Sequence, residues 1–193
     1  MNRLGGISDS PAAFSVVNMI KPLPLLVFLD IDGVLLPFGH NRSQNSQKTD
    51  QLFPDETLAA LDDIVRAFPE SQVVLSSTWR MNPSFVEEIR KDFERYANKH
   101  PSNCLVRVDL TRVTPLELCW STRQHEIYEY LNQLEEKRVA WVALDDEELV
   151  DGKANEPYRK HFQGKVVKTD SHQALTARDA QQAIQILSRQ VGS

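Results

Sequence analysis

The sequence predicts an α/β fold: one doubly wound domain in which a mainly parallel β-sheet has helices on both faces. Short, unbroken apolar runs occur along the chain, for example at residues 25–29 and 139–144. Such runs are typical of strands that are buried on both faces. They alternate with stretches whose apolar residues recur at helical spacing. This alternation indicates a parallel sheet whose strands are connected by helices.

The elements follow from these two patterns. The predicted strands cover residues 25–29, 73–75, 104–108, 139–144 and 165–167. The predicted helices cover residues 55–68, 83–97, 123–136 and 176–189. The first helix follows Pro54 and ends before Pro69, because proline fits the first turn of a helix but not its interior.

The N-terminal end of the chain and one internal segment differ from this regular pattern. Residues 1–22 have no sustained hydrophobic period and predict a flexible N-terminal arm. Residues 23–193 show no further boundary and predict a single domain. Residues 37–54 are polar and irregular, and a loop of this length inside a compact domain is usually functional.

Composition limits the class of protein. The 193 residues carry a net charge of -5, which argues against broad coating of nucleic acid. This net charge is compatible with a local basic patch, for which the candidates are Arg42, Lys48, Arg80 and Arg112. The alternative is that these residues are scattered charges that keep the protein soluble. Two cysteines form no disulfide framework, and no apolar run approaches the roughly 20 residues of a membrane helix. We therefore expect a cytoplasmic protein without membrane association.

Polar residues follow the predicted strands where ligands bind to parallel sheets, at the carboxyl ends. They are Asp30, Asp32, Ser76, Ser77, Asp145 and Asp146. Taken singly, each residue has an ordinary interpretation as a turn residue or a helix cap. Taken together, carboxylates at one sheet edge repel one another and favour a bound cation, and oxygen ligands of this kind suit Mg²⁺.

The spacing of the first two carboxylates indicates a reaction. Asp30 and Asp32 are two positions apart, so in an extended segment both can face one pocket. One could attack phosphorus while the other transfers a proton, and aspartate is an established nucleophile in phosphoryl transfer. Ser76 could then donate a hydrogen bond to a phosphate oxygen.

At these positions the chain resembles the haloacid dehalogenase (HAD) superfamily in its phosphatase form. The segment from Leu29 to Val34, which reads Leu-Asp-Ile-Asp-Gly-Val, resembles the first signature of that superfamily. Ser76 resembles the second signature, and the pair Asp145 and Asp146 resembles the fourth. Residues 73–80 and 124–127 are similar to the small HAD domain of bacterial RNA-repair (Swiss Army Knife) proteins.

The resemblance implies a role for each residue. Asp30 would be the nucleophile that becomes an aspartyl phosphate, and Asp32 the general acid and base. Mg²⁺ would be bound by Asp30, by the main-chain carbonyl of Asp32, and by Asp146 or else Asp145. Phosphoryl oxygens would be held by Ser76 and Ser77. The third signature is usually a lysine, whose place is taken here by Arg123, or else Arg123 is a surface residue at a helix start.

The intervals between the signatures leave no room for a large cap domain. In this superfamily, a site without a cap implies an open cleft and a bulky substrate. The leading hypothesis is a Mg²⁺-dependent phosphatase acting on nucleotide or nucleic-acid ends. A second hypothesis keeps the chemistry but has a phosphoprotein or a small phosphoester as substrate. A third is a catalytically silent binding module with the same fold. The oligomeric state stays open.

Overall fold

The computed structural model of the chain describes residues 23–40, 51–116, 121–136 and 138–192. The predicted arm over residues 1–22 and residues 41–50 of the predicted loop lie outside this range. Four parallel strands form one sheet in the spatial order β2-β1-β3-β4. The strands are β1 (Leu25–Leu29), β2 (Gln72–Leu75), β3 (Ala140–Asp145) and β4 (Val166–Lys168).

The described helices are α1 (Asp55–Ala67), α2 (Pro83–Lys99), α3 (Arg123–Asn132), α4 (Arg159–Phe162) and α5 (Ala177–Val191). Local sequence explains several of their ends. Asn82 caps α2, whose first residue is a proline. Thr176 and Asp179 form a reciprocal capping box at the start of α5. The helix predicted over 123–136 is shorter than expected: it corresponds to α3, which ends at Asn132.

Helices cover both faces of the sheet, as predicted. Alternate residues of β1 point to opposite sides, so that Val27 belongs to one apolar cluster and Phe28 to the other. The first cluster contains buried residues of α1, α2 and α5, and the second contains Ile127 of α3 and Phe162 of α4. The doubly wound α/β prediction is confirmed, and the described residues contain no large cap domain.

The strand predicted at 104–108 is wrong: Leu105–Arg107 form a turn of 3-10 helix. Side chains accept hydrogen bonds from the backbone N–H groups that a strand would use for pairing. The Cys104 N–H donates to the Asp62 carboxylate at 2.6 Å, and the Leu105 N–H donates to Asn103 Oδ1 at 2.9 Å. The edge of β2 that faces away from β1 pairs instead with Val113, which forms a single parallel bridge with Leu75. Val113 lies in a segment without a predicted element.

Candidate active site

The carboxyl end of β1 lies between the ends of its two neighbours. The Asp30 N–H donates to the Leu144 carbonyl of β3 at 3.1 Å, and the Ser76 N–H, just after β2, donates to the Leu29 carbonyl at 2.9 Å. Parallel pairing therefore brings residues that are far apart in the sequence to one edge of the sheet, as the strand-end argument predicts. Asp30 and Ser76 are both buried there.

The turn after β1 needs a glycine. Gly33 has a φ of +74°, a conformation that residues with a Cβ rarely adopt. A Cβ at this position would lie 2.4 Å from Cγ of Asp146. Gly33 therefore lets the Asp146 side chain lie directly against the turn that follows the first strand.

Three carboxylates form a cluster at this edge. Asp30, Asp145 and Asp146 each offer an oxygen, and these oxygens lie within 4.8 Å of one another. Burial raises the pKa of Asp145 to about 8, and burial together with the charge of Asp30 raises the pKa of Asp146. Burial and repulsion between the carboxylates therefore disfavour negative charge on Asp145 and Asp146, and an added cation would offset this.

Arg123 supplies part of the opposing charge. Its Nη1 lies 3.2 Å from Asp30 Oδ1 and its Nε lies 3.6 Å from Asp145 Oδ2. The same guanidinium donates to the Ser76 carbonyl. Burial works against the charge of Arg123, but Asp30 and Asp145 leave its pKa raised overall. With a side chain only 9% exposed, Arg123 is part of the site and not a surface residue at a helix start.

The residues fit a divalent cation. Three carboxylates against one guanidinium leave two formal negative charges. Among the described residues, Oδ2 of Asp145 is buried and has the Arg123 Nε at 3.6 Å but no hydrogen-bond partner, and a buried acceptor without a hydrogen bond is costly unless a ligand satisfies it. Carboxylate oxygens are the ligands that Mg²⁺ prefers. The candidate ligands are therefore Asp30, Asp145 and Asp146.

The two serines after β2 differ in their surroundings. Within the described part of the chain, the buried Ser76 Oγ has no hydrogen-bond partner. Ser77 Oγ accepts the Trp79 N–H at 3.4 Å and caps the short 3-10 turn over Thr78–Met81. Ser76 is consequently the serine whose hydroxyl is available to a phosphoryl oxygen, whereas Ser77 has a local structural partner.

Arg80 fixes the backbone of this segment. It donates to the Ser76 and Ser77 carbonyls at 2.7 Å each, and its Nη2 lies 2.7 Å from Glu126 Oε2. Its side chain is only 2% exposed, so Arg80 does not belong to a surface basic patch. Sequence reasoning missed this ion pair, although both partners lie in the stretches that resemble the RNA-repair proteins.

Asp32 lies apart from the carboxylate cluster that the described residues form. Its Oδ2 accepts a hydrogen bond of 2.8 Å from Nε1 of Trp79. The side chain of Asp32 is half-buried, in contrast to the buried Asp30. The carboxylates of Asp30 and Asp32 therefore have different environments, as the two different roles implied by the resemblance require.

A parallel sheet with a nucleophile candidate after its first strand and acidic residues after a neighbouring strand is the arrangement of a HAD-type hydrolase. Residues 26–180 match the family model of the HAD domain in Swiss Army Knife RNA repair proteins. Because this match covers most of the chain, the chain belongs to that family. No curated protein and no solved structure is similar enough to count as a match.

None of the helices in the described ranges combines the length and the apolar character that a membrane-spanning segment needs.

Proposed function

We propose that this protein is a Mg²⁺-dependent phosphatase that hydrolyses phosphoesters through an aspartyl-phosphate intermediate. The main support is the grouping of Asp30 with two further carboxylates and the guanidinium of Arg123 at one sheet edge. The buried hydroxyl of Ser76, which has no hydrogen-bond partner among the described residues, adds a donor for a phosphoryl oxygen. Membership of a HAD domain family is consistent with hydrolase chemistry of this kind.

The proposed reaction has two steps. A carboxylate oxygen of Asp30 forms a bond to phosphorus while the bond from phosphorus to the ester oxygen breaks, and Asp32 gives its proton to that oxygen. Asp32 then takes a proton from a water molecule that attacks the aspartyl phosphate. The bond between phosphorus and Asp30 breaks, which releases inorganic phosphate and restores both carboxyl groups.

The chain's own residues organise these steps. Asp30, Asp146 and Asp145 would hold Mg²⁺, with the main-chain carbonyl of Asp32 as a further ligand. When bound, the cation neutralises negative charge on the phosphoryl group. Arg123 and Ser76 would hold phosphoryl oxygens, with Ser77 beside them. A guanidinium can bind two phosphoryl oxygens at once, and this suits Arg123 to the role that lysine has elsewhere in the superfamily.

A phosphorylated nucleic-acid end is the first proposed substrate, because the family is named for RNA repair proteins. We place this activity in the cytoplasm. A small phosphoester is the second candidate, and a cleft of about 360 Å³ beside Arg123 favours it. Its lining includes the hydroxyls of Thr78 and Thr122, and it sets three carboxylates, those of Glu126, Glu147 and Glu148, against the two guanidinium groups of Arg80 and Arg123. Such a lining suits a small polar leaving group better than a polyanion.

Thermal denaturation with Mg²⁺ and beryllium fluoride tests the site without knowledge of the substrate, because beryllium fluoride on an aspartate mimics a phosphoryl group. Ligand at 100 times its Kd is expected to add about 2.7 kcal/mol to the free energy of unfolding. This corresponds to an increase in Tm of about 5–11 °C for a protein of this size. Beryllium fluoride without Mg²⁺ is the control. A folded protein whose Tm does not rise would contradict the proposal and favour a catalytically silent binding module.

Salt dependence separates the two substrate classes. If the substrate is a nucleic-acid end, kcat/KM for a phosphorylated oligonucleotide is expected to fall about tenfold or more between 50 and 200 mM salt, because contacts to several phosphates are screened. The value for p-nitrophenyl phosphate, which has a single phosphate, serves as the reference. Equal salt dependence of the two substrates would contradict recognition of a polynucleotide.

A further inference from the structure

We propose that Trp79 is a positioning residue for Asp32, whose carboxyl group it orients for protonation of the leaving group. This inference rests on the proposed phosphatase function. Its starting point is the hydrogen bond of 2.8 Å from Trp79 Nε1 to Asp32 Oδ2, which links the turn after β1 to the turn after β2. The two residues are 47 positions apart in the sequence.

The indole is held rigidly. Trp79 is only 7% exposed, and its ring packs against Phe53 and Phe85 with centroid distances of 6.3 and 5.2 Å. Its backbone N–H donates to Ser77 Oγ within the 3-10 turn, which Arg80 ties to the end of β2. The donor nitrogen is therefore fixed relative to the segment that contains Ser76, and not merely near Asp32.

The chemistry of the indole determines which oxygen of Asp32 carries a proton. An indole nitrogen is a donor and never an acceptor. Oδ2 of Asp32 must therefore accept from Trp79 in the charged and in the protonated form of the carboxyl group. Because the carbonyl oxygen of a protonated carboxyl group is a better acceptor than its hydroxyl oxygen, this hydrogen bond favours the proton on Oδ1, from which it is given to the leaving group. Trp79 in this way selects the reactive oxygen and restricts the rotation of a half-buried side chain.

This role has a signature that a purely structural role lacks. Protonation of the leaving oxygen matters greatly for an alkoxide, which is a poor leaving group, and little for p-nitrophenolate, which is stable as an anion. Loss of correct orientation at Asp32 should therefore slow alkyl phosphates selectively. Damage to the fold or to phosphate binding would slow both kinds of substrate alike.

The test is Trp79→Phe, which removes the N–H and keeps an aromatic ring in the same packing. Values of kcat/KM, which report the first chemical step, are measured for 2-phenylethyl phosphate and for p-nitrophenyl phosphate. We expect a loss of about 10- to 100-fold for the alkyl ester, as a part of the roughly 10²- to 10⁴-fold that general acid catalysis contributes. For p-nitrophenyl phosphate we expect a loss of less than about threefold.

Phe162→Leu is the matched control, because it also reduces a buried aromatic side chain but belongs to the apolar cluster on the other face of the sheet from Trp79. It should leave the ratio of the two kcat/KM values unchanged. Equal losses for both esters in Trp79→Phe, or no loss for the alkyl ester, would overturn the inference.

A second measurement separates this inference from the proposed function. The indole N–H resonance of Trp79, identified by its disappearance in Trp79→Phe, should move upfield in Asp32→Ala when the hydrogen bond is lost. An unmoved resonance would contradict the contact itself. Wild-type protein that hydrolyses neither ester and whose Tm does not rise with Mg²⁺ and beryllium fluoride would instead show that the proposed function is wrong, and the role of Trp79 in catalysis would be wrong with it.

Discussion

Replacing Asp30 by asparagine is expected to lower phosphatase turnover by at least about 10³-fold, as removal of a covalent nucleophile does in other hydrolases. The amide has nearly the same shape as the carboxylate but cannot form the aspartyl phosphate. The fold should survive. The substitution loses the ion pair with Arg123, but this loss is offset because one of three mutually repelling carboxylates is removed as well. Turnover of p-nitrophenyl phosphate with Mg²⁺ is the measurement.

The stabilisation by Mg²⁺ and beryllium fluoride should disappear in the same variant. Asp63→Asn is the matched control, since Asp63 is exposed on α1 and should affect neither measurement. A residual rate within tenfold of the wild type would contradict the role of Asp30 as nucleophile. Direct attack of water on the substrate would then be the better mechanism.

Replacing Arg123 by methionine is expected to lower the free energy of unfolding of the metal-free protein by about 3–5 kcal/mol, because removal of one partner leaves buried charge without compensation. Methionine is similarly long but has no charge, so Asp30 and Asp145 would lose their guanidinium partner. Arg123→Lys keeps the charge and should lose less than half as much. Urea unfolding in the presence of a chelator is the measurement.

Arg90→Met serves as the comparison for charge removal at the surface. Arg90 pairs with Glu87 and Glu94 on the exposed side of α2, where solvent screens such pairs and they contribute little to stability. If Arg123→Met were as mild as Arg90→Met, the guanidinium would not stabilise the carboxylate cluster. If Arg123→Lys were as damaging as Arg123→Met, the shape of the guanidinium and not its charge would be responsible.

Much of the site could be predicted from short-range patterns. Unbroken apolar runs identify β1 and β3 as strands buried on both faces, and the residues that follow them are at the ligand-binding edge once the sheet is parallel. The positions of Asp30, Asp145 and Asp146 at one edge follow from that argument, and the structure agrees. Arg123 was predicted from the resemblance alone, because no local pattern connects residues 93 positions apart.

The predictions that the structure contradicts failed for a common reason. The segment 104–108 has the composition of a strand, but the carboxylate of Asp62, 42 positions earlier, accepts its first backbone N–H. Arg80 is a candidate for a local basic patch in the sequence, and in the structure it is buried against Glu126. In each case a hydrogen-bond partner from elsewhere in the chain decided the outcome.

The sequence by itself thus determined the fold class, the central strands and which residue types stand at their ends, because hydrophobic periodicity depends only on near neighbours. The tertiary structure decided which of those residues touch one another. Arg123 lies between Asp30 and Asp145, and Trp79 binds Asp32, only because β1 lies between β2 and β3. Hydrogen bonds and ion pairs act over a few ångströms in space, and the order of the strands, with the helix and the turn that follow them, brings these distant residues that close.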